Sequence, residues 1–132
     1  MTAAIYSYHA THGTASFDTA LVLVGLPGSA LLSAGSRAGL RTAAEAFADR
    51  SYESDGSLTP RKVAGAVLST PAQVAERVVR IVRDGEVAAR DGSTLSLRAD
   101  TICVHGDTPA AAQLAAAVRM ALEAAGIELK AL

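Results

Sequence analysis

The stretch Ala20-Leu21-Val22-Leu23-Val24 constrains the fold more than any other part of the chain. It is continuously apolar rather than alternating, and Gly25 and Pro27-Gly28 stop it after a few residues. A strand with one wet face alternates polar and apolar side chains. A short unbroken run instead fits a strand covered on both faces, as in parallel sheets flanked by helices. Ser29 to Ala38 reads as a covering helix, closed by Gly39.

The same order recurs downstream. Thr42 to Ala48 predicts a second strand, interrupted by Glu45, and Asp49 to Gly56 predicts a polar loop with a turn at Asp55-Gly56. Ala64 to Leu68 is a brief apolar piece before the next helix. Thr70 is placed to cap that helix, Pro71 suits its first position, and Gln73 completes a capping box. Val74, Val78, Ile81 and Val82 share one face, Glu76 and Arg80 are spaced to pair on the wet side, and Gly85 ends the helix. Glu86 to Leu97 predicts a β-hairpin turning at Asp91-Gly92, and Thr101 to Val104 predicts a second buried strand. A last helix begins near Thr108 and Pro109, carries Leu114, Val118, Ala121, Leu122 and Ala125 as its apolar stripe, and stops at Gly126. Ile127 to Leu129 is a candidate final strand. Strands alternating with helices make this an α/β chain.

Length and composition bound the rest. The 132 residues suffice for one domain, and nothing in residues 18–132 divides it, whereas residues 1–17 show no sustained periodicity and read as a leader. With 12 basic against 13 acidic residues and no basic, aromatic-interleaved patch, a nucleic-acid partner is not expected. No apolar run approaches the roughly 20 residues of a membrane span, and the start lacks the basic and apolar regions of a signal peptide. Cys103 is alone, which excludes an internal disulfide and suits a cytoplasmic protein. Within Ile102-Cys103-Val104 it reads as a small core residue.

Chemistry concentrates in Asp100-Thr101-Ile102-Cys103-Val104-His105-Gly106-Asp107-Thr108-Pro109. A short strand delivers His105, Gly106 and Asp107 to its C-terminal end, just before a helix, where ligands collect in α/β folds. His105 is an apt proton carrier, and Asp107 is placed to orient it or to hold a cation. The structural alternative has Asp107 and Thr108 capping the helix while His105 packs against a loop. Asp100 lies at the other end of the strand, roughly 10–13 Å away, and reads as a turn or cap. A second group is Glu45, Asp49, Arg50 and Tyr52. A carboxylate inside an apolar run calls for a partner. Arg50 suits a bidentate grip on a substrate carboxylate, or else a structural pair with Glu45 or Asp49. His9 and His12 have no third ligand nearby, and Gly25 to Ser29 matches no nucleotide-binding pattern.

Together, Leu23-Val24-Gly25-Leu26-Pro27-Gly28-Ser29, Ala44-Glu45-Ala46-Phe47-Ala48-Asp49-Arg50-Ser51-Tyr52, Asp55-Gly56-Ser57-Leu58 and the Asp100–Pro109 string resemble the LamB/YcsF family, whose members form the A subunit of 5-oxoprolinase. The resemblance covers roughly residues 18–129. It implies an irregular (β/α) barrel related to polysaccharide-deacetylase-like folds, of which this chain looks like the carboxy-terminal half. It implies ATP-dependent opening of 5-oxoproline to glutamate, shared with subunits B and C, with ATP as a cosubstrate of the complex. It makes Glu45, Asp49 and Arg50, with His105 and Asp107, lining residues of the catalytic cleft. In the roles this chemistry needs, His105 is the base, Asp107 its orienting partner, Glu45 a second acid or base, and Arg50 with Asp49 the substrate-binding pair.

Family members are about twice this length, and the histidine-containing strings of their amino-terminal half do not occur here. The alternative is therefore an inactive interaction module or remnant that keeps part of the fold. The expectation is a chain inactive by itself, associating with itself or with a separate chain that supplies the other half.

Overall fold

A computed structural model describes residues 21–108 and 110–131. The expected leader, with His9 and His12, lies outside the described residues, as does Pro109. The chain forms two compact units, one ending at Glu45 and the other beginning at Ala46.

In the first unit, β1 (Val22–Gly25) is followed by α1 (Ala30–Arg37) and by β2 (Arg41–Phe47), which runs on into the second unit. β1 and β2 pair in parallel, from Val22 opposite Arg41 to Gly25 opposite Ala44. The α/β expectation thus holds, with a right-handed crossover the usual way for one helix to join two parallel neighbours. Ser29 caps α1, its hydroxyl accepting from the Leu32 amide at 3.3 Å. Gly35 lets α1 approach β1, because a Cβ there would collide with a Leu23 methyl.

The second unit holds α2 (Pro71–Asp84), the antiparallel pair β3 (Glu86–Ala88) and β4 (Thr94–Ser96), then β5 (Thr101–Cys103) and α3 (Ala111–Ala124). Val74 and Val78 of α2 pack with Leu114, Val118 and Leu122 of α3 and with Ala48, and Ile102 and Val104 close the core from the β5 side. These are the predicted helix stripes at i, i+4 spacing. Val82 and Ala125 fall outside the core; Val82 is 37% exposed.

Several local expectations fail for identifiable reasons. Thr70 sits at the N-cap of α2, but its side chain makes no capping bond, so the box with Gln73 does not close. Arg80 pairs with Glu86 at the head of β3 instead of with Glu76. The hairpin loop is longer than a two-residue turn, because Ala88 pairs with Thr94 and the Ala89 amide donates to the Ser93 carbonyl. Ile127 to Leu129 forms no strand, and Ile127 packs on the core from an irregular segment. β5 is half-buried along its length rather than fully covered.

The largest departure concerns the segment read as a polar loop. Asp49, Arg50, Ser51 and Tyr52 are all buried, as is Thr59 across the turn. Backbone bridges join Arg50 to Val67, and Tyr52 to both Leu58 and Ala89. A buried backbone must find partners for its N–H and C=O groups. Here the Ser51 amide donates to the Ala66 carbonyl, the Thr59 amide to the Ser51 carbonyl and the Leu68 amide to the Asp49 carbonyl. The string after β2 is the polar interior of the second unit.

Candidate active site

Two chain segments far apart in sequence meet at this polar interior. β5 ends at Cys103, whose carbonyl accepts from the Ala48 amide at 2.9 Å, so the segment after β5 runs beside the one that begins with Asp49. His105 and Asp49 come together there.

The Asp49 carboxylate is wholly buried. Its Oδ1 lies 2.8 Å from His105 Nδ1, and its Oδ2 accepts from the His105 amide at 3.3 Å and from the Thr108 hydroxyl. Burial pushes the Asp49 carboxyl up. The hydrogen bonds from Thr108 and His105, with the charge of His105, outweigh burial and hold it below the ordinary carboxylate range. An ionised carboxylate only accepts, so the proton between the two side chains belongs to His105 Nδ1 and Nε2 is the nitrogen left for chemistry. Phe47 stacks on the imidazole at 5.0 Å between ring centroids and 13° between planes, which fixes the ring's tilt. The His105 side chain keeps 20% of its surface open.

This arrangement reassigns two candidates. Asp107 does not orient His105: it is exposed, ion-paired at 2.6 Å to Arg61, and its carboxyl is held below its ordinary value chiefly by that arginine's hydrogen bond. Asp49 fills the orienting place. Thr108 does not cap α3, which starts instead from Ala110 in the left-handed region at φ 62°, with no side-chain cap. Its hydroxyl is engaged by Asp49.

Arg50 is 7% exposed. Its Nε donates to the Ala66 carbonyl at 3.3 Å and its Nη2 to the Thr59 carbonyl at 2.6 Å. It forms no structural pair with Glu45 or Asp49; it cross-links its own segment to those of Thr59 and Ala66. Glu45, at the end of the first unit, is half-buried on β2 as expected, but its side chain makes no hydrogen bond or ion pair among the described residues.

Sequence reasoning did not single out Arg77. It reaches from α2 over the Tyr52 ring, 5.4 Å from its centroid, and donates to the Arg50 carbonyl at 2.8 Å. Desolvation lowers its pKa from the ordinary arginine value. Tyr52 is itself fully buried, and its hydroxyl accepts from the Phe47 amide at 2.9 Å. Phe47, which stacks on His105, is thus held by Tyr52, and Tyr52 by Arg77. The signal available in sequence was an arginine beside the apolar positions Val74 and Val78.

Among the described residues no cluster of three or more His, Cys, Asp or Glu side chains is placed to hold a metal ion. No helix there is long and apolar enough to cross a membrane.

The LamB/YcsF family model matches residues 4–132, beginning within the stretch read as a leader. The A subunit of 5-oxoprolinase from Rhodopseudomonas palustris is 54% identical over 110 residues, covering 83% of this chain and 43% of its own length. That of Kocuria rhizophila is 50% identical over 129 residues, covering 93% and 51%. A crystal structure of a lactam utilization protein from Thermus thermophilus superposes with a TM-score of 0.82 at 39% identity, covering 99% of this chain and 48% of that one. The chain spans about half the length of the curated relatives it matches.

Proposed function

Since the chain belongs to the LamB/YcsF family, we propose that it serves the opening of the 5-oxoproline ring to glutamate, with His105 as the proton-transferring base. The observation that carries this is the buried Asp49 carboxylate on His105 Nδ1, with the imidazole stacked on Phe47. The names of the relatives, a 5-oxoprolinase and a lactam utilization protein, supply the substrate class.

A lactam carbonyl is a poor electrophile, and water a poor nucleophile, so a positioned base contributes typically about 10²–10⁴-fold. His105 Nε2 takes a proton as water adds to the ring carbonyl. The C–N bond then breaks, and the ring nitrogen takes up a proton to become the amine of glutamate. Asp49 stabilises the imidazolium while it exists. Arg50, engaged by two carbonyls, holds the site's wall, and Arg61 is the freer cation.

In this reading ATP is a cosubstrate of an assembly with subunits B and C, and the relatives' own name supports membership of a multi-subunit complex. In this reading the chain corresponds to the carboxy-terminal half of a deacetylase-like (β/α) barrel. The test is ATP-dependent glutamate release from 5-oxoproline by the chain with subunits B and C, with and without an amino-terminal half. His105→Asn keeps an N–H for Asp49 but offers nothing in place of Nε2. It is expected to cost at least about 10²-fold in rate. A variant that turns over like the wild type would remove His105 from the chemistry.

A further inference from the structure

Three arginines reach the segments that carry Asp49 and His105, and two of them donate to backbone carbonyls. Arg50 is buried with its donors on the Ala66 and Thr59 carbonyls. Arg77 lies over Tyr52 and donates to the Arg50 carbonyl. Arg61 differs: its side chain is 46% exposed, and its partner, Asp107, is 67% exposed.

Asp107 belongs to the turn that carries His105. The Thr108 amide donates to the His105 carbonyl at 3.2 Å and closes that turn, so its ends lie within about 7 Å of each other. Arg61 therefore brings a guanidinium to the imidazole's own loop. What it grips there is a carboxylate held at 2.6 Å, close enough to His105 for that histidine's charge to act on it. An ion pair this exposed contributes little to stability. Replacing one carboxylate on the guanidinium by another conserves charge, and the released Asp107 is already largely in water.

We propose that Arg61 is the specificity-determining residue of this site: it takes the carboxylate of a small lactam acid in place of Asp107 and holds the ring beside His105. The assignment rests on the lactam-opening reading above and says how that reading's substrate is recognised. Asp107 is the internal competitor that occupies the guanidinium until an acid displaces it. A planar guanidinium suits this task because it can meet a carboxylate with two parallel N–H donors.

The test compares 5-oxoproline with 2-pyrrolidinone, the same lactam without the carboxylate, by NMR titration of the chain assembled with subunits B and C and an amino-terminal half. Arg61→Gln is expected to weaken 5-oxoproline about tenfold to a hundredfold, the loss of one charge-assisted contact, and to leave 2-pyrrolidinone unchanged. Asp107→Asn is expected to tighten 5-oxoproline severalfold. Wild-type affinity in Arg61→Gln would overturn the assignment while leaving the lactam reading intact, as would equal weakening of both lactams. Unchanged affinity in Asp107→Asn would overturn the displacement. A wild-type assembly that binds neither lactam would overturn assignment and reading together.

Discussion

Removing the Asp49 carboxylate should cost the second unit much of its stability, and the amount follows from the partners it would abandon. The carboxylate accepts from His105 Nδ1, the His105 amide and the Thr108 hydroxyl, and none of its own surface meets water. Asp49→Asn preserves the shape and one acceptor oxygen. If that oxygen stays on the amide and hydroxyl, the new NH₂ faces Nδ1, which must give up its proton and become an acceptor. The loss is then one charge-assisted hydrogen bond, about 1.5–3 kcal/mol. Asp49→Ala abandons all the donors at once in a buried place. Since neighbouring losses do not simply add, roughly 3–5 kcal/mol is expected. Urea unfolding followed by far-UV circular dichroism measures both; the chain has no tryptophan to report by fluorescence. If both variants unfolded within about 0.5 kcal/mol of the wild type, as ordinary surface changes do, the carboxylate would not be the anchor described here.

The depressed Asp49 carboxyl also predicts an acid limit. Its folded value lies below the unfolded one, so its contribution is present above about pH 4 and lost as pH falls through the folded value. Acid titrations of stability should therefore be flatter below about pH 4 in Asp49→Asn than in the wild type. Tyr52→Phe leaves the Phe47 amide without the hydroxyl it donates to and should cost about 1–2 kcal/mol in the same unfolding assay. Gly85, the C-cap of α2, sits at φ 69°; Gly85→Ala should lower stability by about 1–2 kcal/mol, although a Cβ there meets nothing closer than Arg98 Cγ at 3.5 Å.

Sequence reasoning went furthest where structure is local. The strand before Gly25, though half-buried rather than covered on both faces, Pro71 at the start of α2 and the terminating Gly85 after it all follow from residues a few positions apart. It also found the His105 loop. It erred on His105's partner because it looked nearby. Asp107 is two residues away, whereas Asp49 is 56 residues away, and the pairing depends on β5 lying beside the end of β2. The same bias made Thr108 a helix cap and Asp49-Arg50-Ser51-Tyr52 part of a polar loop. A polar string can line an interior when each charge finds a partner there. Asp49 finds His105 and Thr108, and Arg50 finds two carbonyls, but neither partnership shows in the local string.

The most direct test of the account is the position of the His105 proton. The chain has three histidines, so long-range ¹H–¹⁵N spectra of histidine-labelled protein, with His105→Asn for assignment, isolate the one signal that matters. The account predicts that neutral His105 carries its proton on Nδ1, with Nε2 unprotonated, and that Asp49→Asn abolishes this preference. A neutral His105 protonated on Nε2 in the wild-type protein would contradict it.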